Sequence, residues 1–295
     1  MQKYIIAETR GGLCNRIKCL ISAMRIAENY SKELILVWPL DNNCGCEFSD
    51  LFENKISEIS TEEFKKMIKM DNFKESYQVC DTWRFLLLPE EILPFSFSRA
   101  YISEKGDNID FEYDRIPLSI RTDILKYLNQ LSPNKYIIEK VGEFCKKFND
   151  DVISVNIRTW ETENRSFLFD IRNVYKIMDK KKDERFFVVC DSPQTLKQIK
   201  CKYGNRVFSY PRRTPPGDRK SIEGIQDALI ELLLLSKNKS LIASHLSTFS
   251  EMAWWLGGCK AKVEMFPITL KGRISIIMDW VAMKRKKFLR LKKDD

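Results

Sequence analysis

The sequence predicts an α/β chain of two domains with parallel strands. Short apolar runs recur along it, each followed by a turn and then by apolar residues at helical spacing. In the second half those runs are almost continuously apolar, as strands covered on both faces are. The 295 residues suit one large or two medium domains.

Taken in order, Tyr4–Ala7 reads as a buried strand and Arg10–Arg16 (RGGLCNR) as a glycine turn. Ile17–Tyr30 is a helix carrying Ile17, Leu20, Ile21, Met24 and Ala27 on one side, and Leu34–Trp38 is a second strand. This βαβ unit puts its glycine loop beyond the carboxyl end of a strand, where α/β proteins hold ligands. The loop is neither GxGxxG nor a Walker sequence. Phe48–Phe52 and Thr61–Met70 read as helical, the latter starting with Thr61 and Phe64 and without a full capping box. Cys80–Tyr113 is aromatic (Trp83, Phe85, Phe95, Phe97, Tyr101, Tyr113) with Arg84 and Arg99 among the rings. It serves either as core or as a sugar-binding groove for an acceptor. Ser132-Pro133-Asn134 breaks the pattern before a helix over Lys135–Phe148, which sets the expected domains at 1–134 and 135–273.

The second domain is expected to hold strands at Val152–Arg158, Phe186–Cys190, Val207–Tyr210, Leu241–Ala243 and Ala261–Phe266. Leu196 and Ile199 mark one helix; Ile222, Ile225, Leu229, Leu232 and Leu233 mark another, after the long loop Pro211–Lys220. Ser240–Gly258 (SLIASHLSTFSEMAWWLGG) reads as a strand, a hydroxyl-rich turn, a helix from about Ser250, and the stop Gly257-Gly258. Ser247, Thr248 and Ser250 crowd the helix start. They either cap it or, with its unpaired N–H groups, bind a phosphate. Arg158, at a strand end, is suited to fork two N–H groups onto a diphosphate, and equally to an ion pair.

Fifty Lys and Arg against 41 Asp and Glu leave a net charge of +9, which fits an anionic ligand or surface and also plain solubility. No helix-turn-helix, zinc-finger or RNP pattern is present, so nucleic acid is not an expected partner. His245 is the one histidine, which leaves little for a His-based zinc site or a Ser-His-Asp triad. The nine cysteines include no CxxC, only the CxC of Cys44 and Cys46, and the chain opens on MQKYIIAE without a signal-peptide pattern. Reduced thiols in a cytoplasmic protein are expected. No apolar run approaches transmembrane length. The third expected segment, 274–295, is a basic helix over Met278–Lys293, with Ile277, Val281, Phe288 and Leu291 at helical spacing among Lys284–Lys287, Arg290, Lys292 and Lys293. It is either solvated or peripheral on an anionic membrane face.

Together RGGLCNR, VNIR, VVCDSP, the leucine-rich helix ending at Ser236, and SHLSTFSEMAWWLGG resemble, in order and spacing, the motifs of the fucosyltransferase superfamily. That superfamily includes protein O-fucosyltransferases, α1,6-fucosyltransferases and the rhizobial nodulation fucosyltransferase. The resemblance implies a GT-B fold of two Rossmann-like domains and inverting, metal-independent transfer of fucose from GDP-fucose to a glycan or glycolipid acceptor. It gives Arg158 the donor β-phosphate, and Ser247, Thr248 and Phe249 the diphosphate. Glu231 stands where a carboxylate reads guanine, with Asp227 as fallback. Gly11, Gly12 and Asn15 match the first-domain loop facing donor and acceptor, and Asp191 the residue near the nucleoside. Asn156 replaces a common family histidine and is expected to keep a hydrogen bond to ribose or base. An inverting transfer also needs a proton acceptor. Glu161, ahead of Glu163, is the expected base; both are otherwise solvated loop residues.

Overall fold

The computed structural model describes residues 4–69, 95, 97, 116–148, 152–161, 165–275, 277–278 and 281–282. They fall into two compact units, one built mainly from 1–108, 114–135 and 219–226, the other from 136–218 and 227–295.

In the first unit, strand β1 (Tyr4–Glu8) leads through helix α1 (Leu13–Asn29) to β2 (Glu33–Val37), and β3 (Ser57–Glu58) adds to the far edge. All three strands are parallel, with Ile6 opposite Ile35 and Leu36 opposite Glu58. Helix α1 starts four residues earlier than its periodicity suggests. Gly12 holds the cap position, and its carbonyl accepts from the N–H groups of Asn15 and Arg16. The RGGLCNR motif is therefore half turn and half helix. Phe48–Phe52 closes one turn only, because Phe52 bridges to Pro133 rather than continuing the spiral. Helix α2 (Thr61–Lys69) is capped by a residue the sequence reading passed over. Ser60 Oγ accepts from the Glu63 N–H, and the Glu63 carboxylate accepts from the Ser60 N–H, a complete capping box. Helix α3 (Leu118–Leu128), not expected from the sequence, packs on α1, and Asp123 accepts from Arg25 Nε at 2.8 Å. Of the aromatic stretch Cys80–Tyr113, Phe95 and Phe97 are described and the rest lies outside the described residues. Phe97 is buried under Lys18, and its N–H donates to Ser22 Oγ, so at this position the ring is core.

After helix α4 (Lys135–Cys145) the second unit alternates strictly. It runs β4 (Val152–Ile157), α5 (Ile171–Met178), β5 (Arg185–Cys190), α6 (Pro193–Tyr203), β6 (Val207–Phe208), α7 (Ile222–Leu235), β7 (Ser240–Ala243), α8 (Thr248–Leu256) and β8 (Lys262–Met265). The sheet order is β6-β5-β4-β7-β8, every pair parallel, with Val155 opposite Val188 on one side and Ile242 on the other. On one face Ile153, Val155, Ile157, Phe186 and Val188 pack with Val174, Ile177 and Met178 of α5 and Ile199 of α6. On the other, Phe144 and Phe148 meet Phe187 and Phe208 ring to ring. With both faces buried the strands are mostly apolar, and the polar Ser154 and Asn156 of β4 are hydrogen-bonded inside the protein.

The strand order reverses at β4. From there the chain steps outward to β5 and β6, then returns through α7 to β7 on the opposite side. Loops leaving the carboxyl ends of β4 and β7 must diverge, and an open sheet of this kind holds its ligand in the crevice between them.

Candidate functional site

The switch point gathers residues far apart in sequence. Arg158 follows β4, Asp191 follows β5, and Ser244 and His245 follow β7. The backbone N–H of Arg158 donates to Ser244 Oγ at 2.9 Å, and that hydroxyl donates to the Asn156 carbonyl at 3.0 Å. Arg158 Nη1 donates to Asp191 Oδ2 at 2.6 Å, with side-chain exposures of 15% and 14%. The other Asp191 oxygen accepts from the N–H and hydroxyl of Thr159 at 2.8 and 2.9 Å. The Asp191 carboxylate thus sets the direction of the guanidinium, which also lies 5.2 Å from the centre of the Trp160 ring. In this structure the Asp191 carboxylate contacts the arginine and holds that side chain in place.

Asn156 is buried and points away from solvent. Its Nδ2 donates to Ser247 Oγ at 3.0 Å and Ser250 Oγ at 2.6 Å. Ser247 Oγ also accepts from the Ser250 N–H, so both its lone pairs are used within the protein. Ser247 caps α8, and Asn156 ties that cap to β4. What the helix start can still offer is the hydroxyl proton of Ser247 and the first-turn N–H groups of Thr248 and Phe249, which have no helical acceptor. Gly257 and Gly258 close the helix. A Cβ on Gly257 would stand 2.8 Å from the Ser236 carbonyl oxygen, and Gly258 has a φ of +68°, so this end of α8 requires glycine.

Beside Arg158 lies a pocket lined by Trp160, Phe169, Asp170, Asn173, Ser244, His245, Leu246 and Phe266, among others. Two of these residues, Trp160 and Leu246, hold left-handed backbone at φ of +61° and +54°. Such strain in bulky residues persists only where the surroundings over-determine it, and it clusters at binding sites. The sequence reading did not name His245, Ser244 or Trp160 as site residues. The available signal was position: each lies within three residues of the end of a strand at the switch. Glu161 comes next and is exposed, and Glu163 lies outside the described residues. Cys190, at the end of β5, is no thiolate nucleophile, since burial pushes its thiol well above the usual range.

Glu231 lies close enough to Cys190, at the end of β5, for its charge to act on that thiol, and Asp227 stands one helical turn before Glu231. Both lie on α7, buried, where Arg212 Nη1 donates to Glu231 Oε2 at 2.6 Å. Asp227 accepts from the Arg213 backbone N–H at 2.6 Å and from its Nε at 2.9 Å. Burial pushes the Glu231 carboxyl up to about 7, against the pull of Arg212. The two carboxylates expected to read guanine are thus engaged by the loop after β6.

In the first unit the glycine loop is held from within. Gly11 has a φ of +74°, and Arg16, fully buried, donates Nε to the Gly11 carbonyl at 2.8 Å and Nη1 to the Pro39 carbonyl at 2.6 Å. Asn15 Nδ2 lies 3.1 Å from where a Gly11 Cβ would be. Gly11, Gly12 and Asn15 form one turn, and Arg16 is the residue that fixes it. Among the described residues no group of three or more His, Cys, Asp or Glu side chains could hold a metal ion.

Solved structures similar to this chain include fucosyltransferases. NodZ α-1,6-fucosyltransferase soaked with GDP-fucose aligns over 87% of this chain and 93% of its own, at 17% identity and a TM-score of 0.55. Arabidopsis thaliana FUT1 in complex with GDP aligns over 90% and 70%, at 17% and 0.52. POFUT1 in complex with GDP-fucose aligns over 90% and 98%, at 12% and 0.52. The chain shares the fold of these proteins, GT-B. At these identities the likeness is one of fold, and it spans nearly the whole of NodZ and POFUT1. No family model matches the sequence, and no curated protein does.

Proposed function

We propose that this protein transfers fucose from GDP-fucose to a glycan or lipid-linked saccharide, with inversion and without a metal ion. The observation that supports it most is Arg158, held by Asp191 at the strand-order switch beside the first turn of α8. In such a transfer negative charge grows on the departing diphosphate. A fixed guanidinium and the N–H groups of Thr248 and Phe249, at the positive end of a helix dipole, meet that charge without reorganising. Ser247 and Asn156 act by keeping the helix start in place.

In this reading Glu161 takes the acceptor proton, with Glu163 as its substitute, and the turn of Gly11, Gly12 and Asn15 serves donor and acceptor from the first unit. Guanine recognition by Glu231, or by Asp227, requires the base to take the place of an arginine partner. The protein works in the cytoplasm.

Donor hydrolysis and transfer across a panel of GDP- and UDP-sugars test the proposal. GDP-fucose should be consumed fastest, EDTA should leave the rate unchanged, and GDP but not UDP should raise the unfolding temperature. Equal turnover of UDP-sugars would overturn the donor assignment. Full activity of both Glu161→Gln and Glu163→Gln would remove the base assignment alone.

A further inference from the structure

The last described segment exposes an apolar helix face. Backbone at 270–275, 277–278 and 281–282 is helical, starting at a cap in which the Gly272 N–H donates to Thr269 Oγ1 at 3.0 Å. The inner side is pressed onto the second unit. Gly272 is buried, and a Cβ there would stand 2.6 Å from Ile268 and 3.1 Å from Leu168. Leu270, Ile274, Ile277, Met278 and Val281 point the other way, between 53% and 77% exposed. At a turn of 100° per residue these five positions fall within an arc of roughly 100°, on one side. Exposed apolar side chains scattered singly mean nothing, whereas a stripe on one helix face marks a docking surface.

The charge around the stripe identifies what it meets. From Lys284 to Lys293 the sequence reads KRKKFLRLKK, and residues 270–295 hold nine basic against three acidic residues, six of the chain's nine excess positive charges. A second copy of the chain would bring like charges together, which disfavours pairing through this face. An anionic lipid surface satisfies both features at once, apolar side chains entering the acyl boundary and basic ones meeting the headgroups. We propose that the 270–282 face docks in the plane of an anionic membrane, with the basic segment after it as the electrostatic anchor. Among the described residues no helix is long and apolar enough to cross a bilayer, so the mode is surface attachment.

Flotation of the full chain with phosphatidylcholine vesicles, with and without phosphatidylglycerol, tests this. The chain should float with the anionic vesicles only, and less so as salt rises. Ile274→Glu combined with Ile277→Glu should lower partition by roughly tenfold or more. Glutamine at positions 284–287 should do the same without touching the described helix. Thermal unfolding of both variants, unaltered because the altered groups are not core, separates lost docking from lost folding. Equal flotation with neutral vesicles, no flotation at all, or full flotation of the variants would overturn the proposal. So would a wild-type dimer that the isoleucine variant dissolves.

Discussion

Two of the second unit's arginine–carboxylate pairs, Arg158–Asp191 and Arg212–Glu231, each draw their arginine from a segment leaving the carboxyl end of a strand. Arg158 pairs with Asp191 beside an open pocket, both partly exposed. Arg212 pairs with Glu231 under the loop after β6, at exposures of 8% and 7%. The chemistry is the same and the setting differs. A buried pair has lost its water on both sides, so removing one partner strands the other. A pair at a pocket's edge retains access to an incoming ligand. Its carboxylate serves to aim the arginine, and its removal is felt in function before stability.

That contrast can be broken at several points, beginning with the largest effect. Glu231→Ala, which leaves Arg212 buried without its carboxylate, should cost about 3–5 kcal/mol of stability in urea unfolding. Arg158→Ala should instead leave the unfolding midpoint close to wild type and lower kcat/KM for the donor by roughly 10²–10³-fold. If the two variants behave alike in both assays, the distinction between the sites collapses. The third point is pH. Burial raises the Glu231 carboxyl to about 7 from the ordinary 4.5, so between those values the folded chain binds the proton more tightly than the unfolded one. Stability from this group is complete below 4.5 and is lost as pH rises through about 7. Relative to Glu231→Gln, the wild type should lose at most about 3 kcal/mol over that window, and a pH-independent difference would show that Arg212 keeps the carboxylate ionised. The smallest effect is expected at Asn156→Ala. Losing its bonds to Ser247 and Ser250 should cost about 1–2 kcal/mol and weaken diphosphate binding as the α8 cap loosens, measurable by calorimetry with GDP.

How much was legible follows from what each element depends on. The parallel strands stood out because both their faces are buried, so Val152–Ile157 and Arg185–Cys190 are mostly apolar, and the polar Ser154 and Asn156 of β4 are buried as well. Helix α5 is absent from the sequence reading although Ile171, Val174, Tyr175 and Met178 stand at helical spacing behind the cap Asp170. The Ser60–Glu63 box escapes the sequence reading because that reading places the cap at Thr61, one residue late. At the site, Arg158 and the Ser247 turn were visible as strand-end and helix-start residues. The partnership of Asn156 with Ser247 and Ser250 joins groups 91 and 94 residues apart, and no local pattern carries it.

The sequence by itself determined the succession of strand, turn and helix, and which residues stand at the ends of strands. Those properties depend on neighbours within a few positions. Tertiary structure alone decided which carboxylate meets which arginine. Asp191 reaches Arg158 across 33 residues because β5 lies next to β4 in register, Ile157 opposite Cys190, so that the residues after both strands emerge side by side. Glu231 goes to Arg212 because α7 packs under the loop that leaves β6. Sheet order is a property of the whole fold, and here it separates an arginine aimed into a pocket from one sealed in the interior.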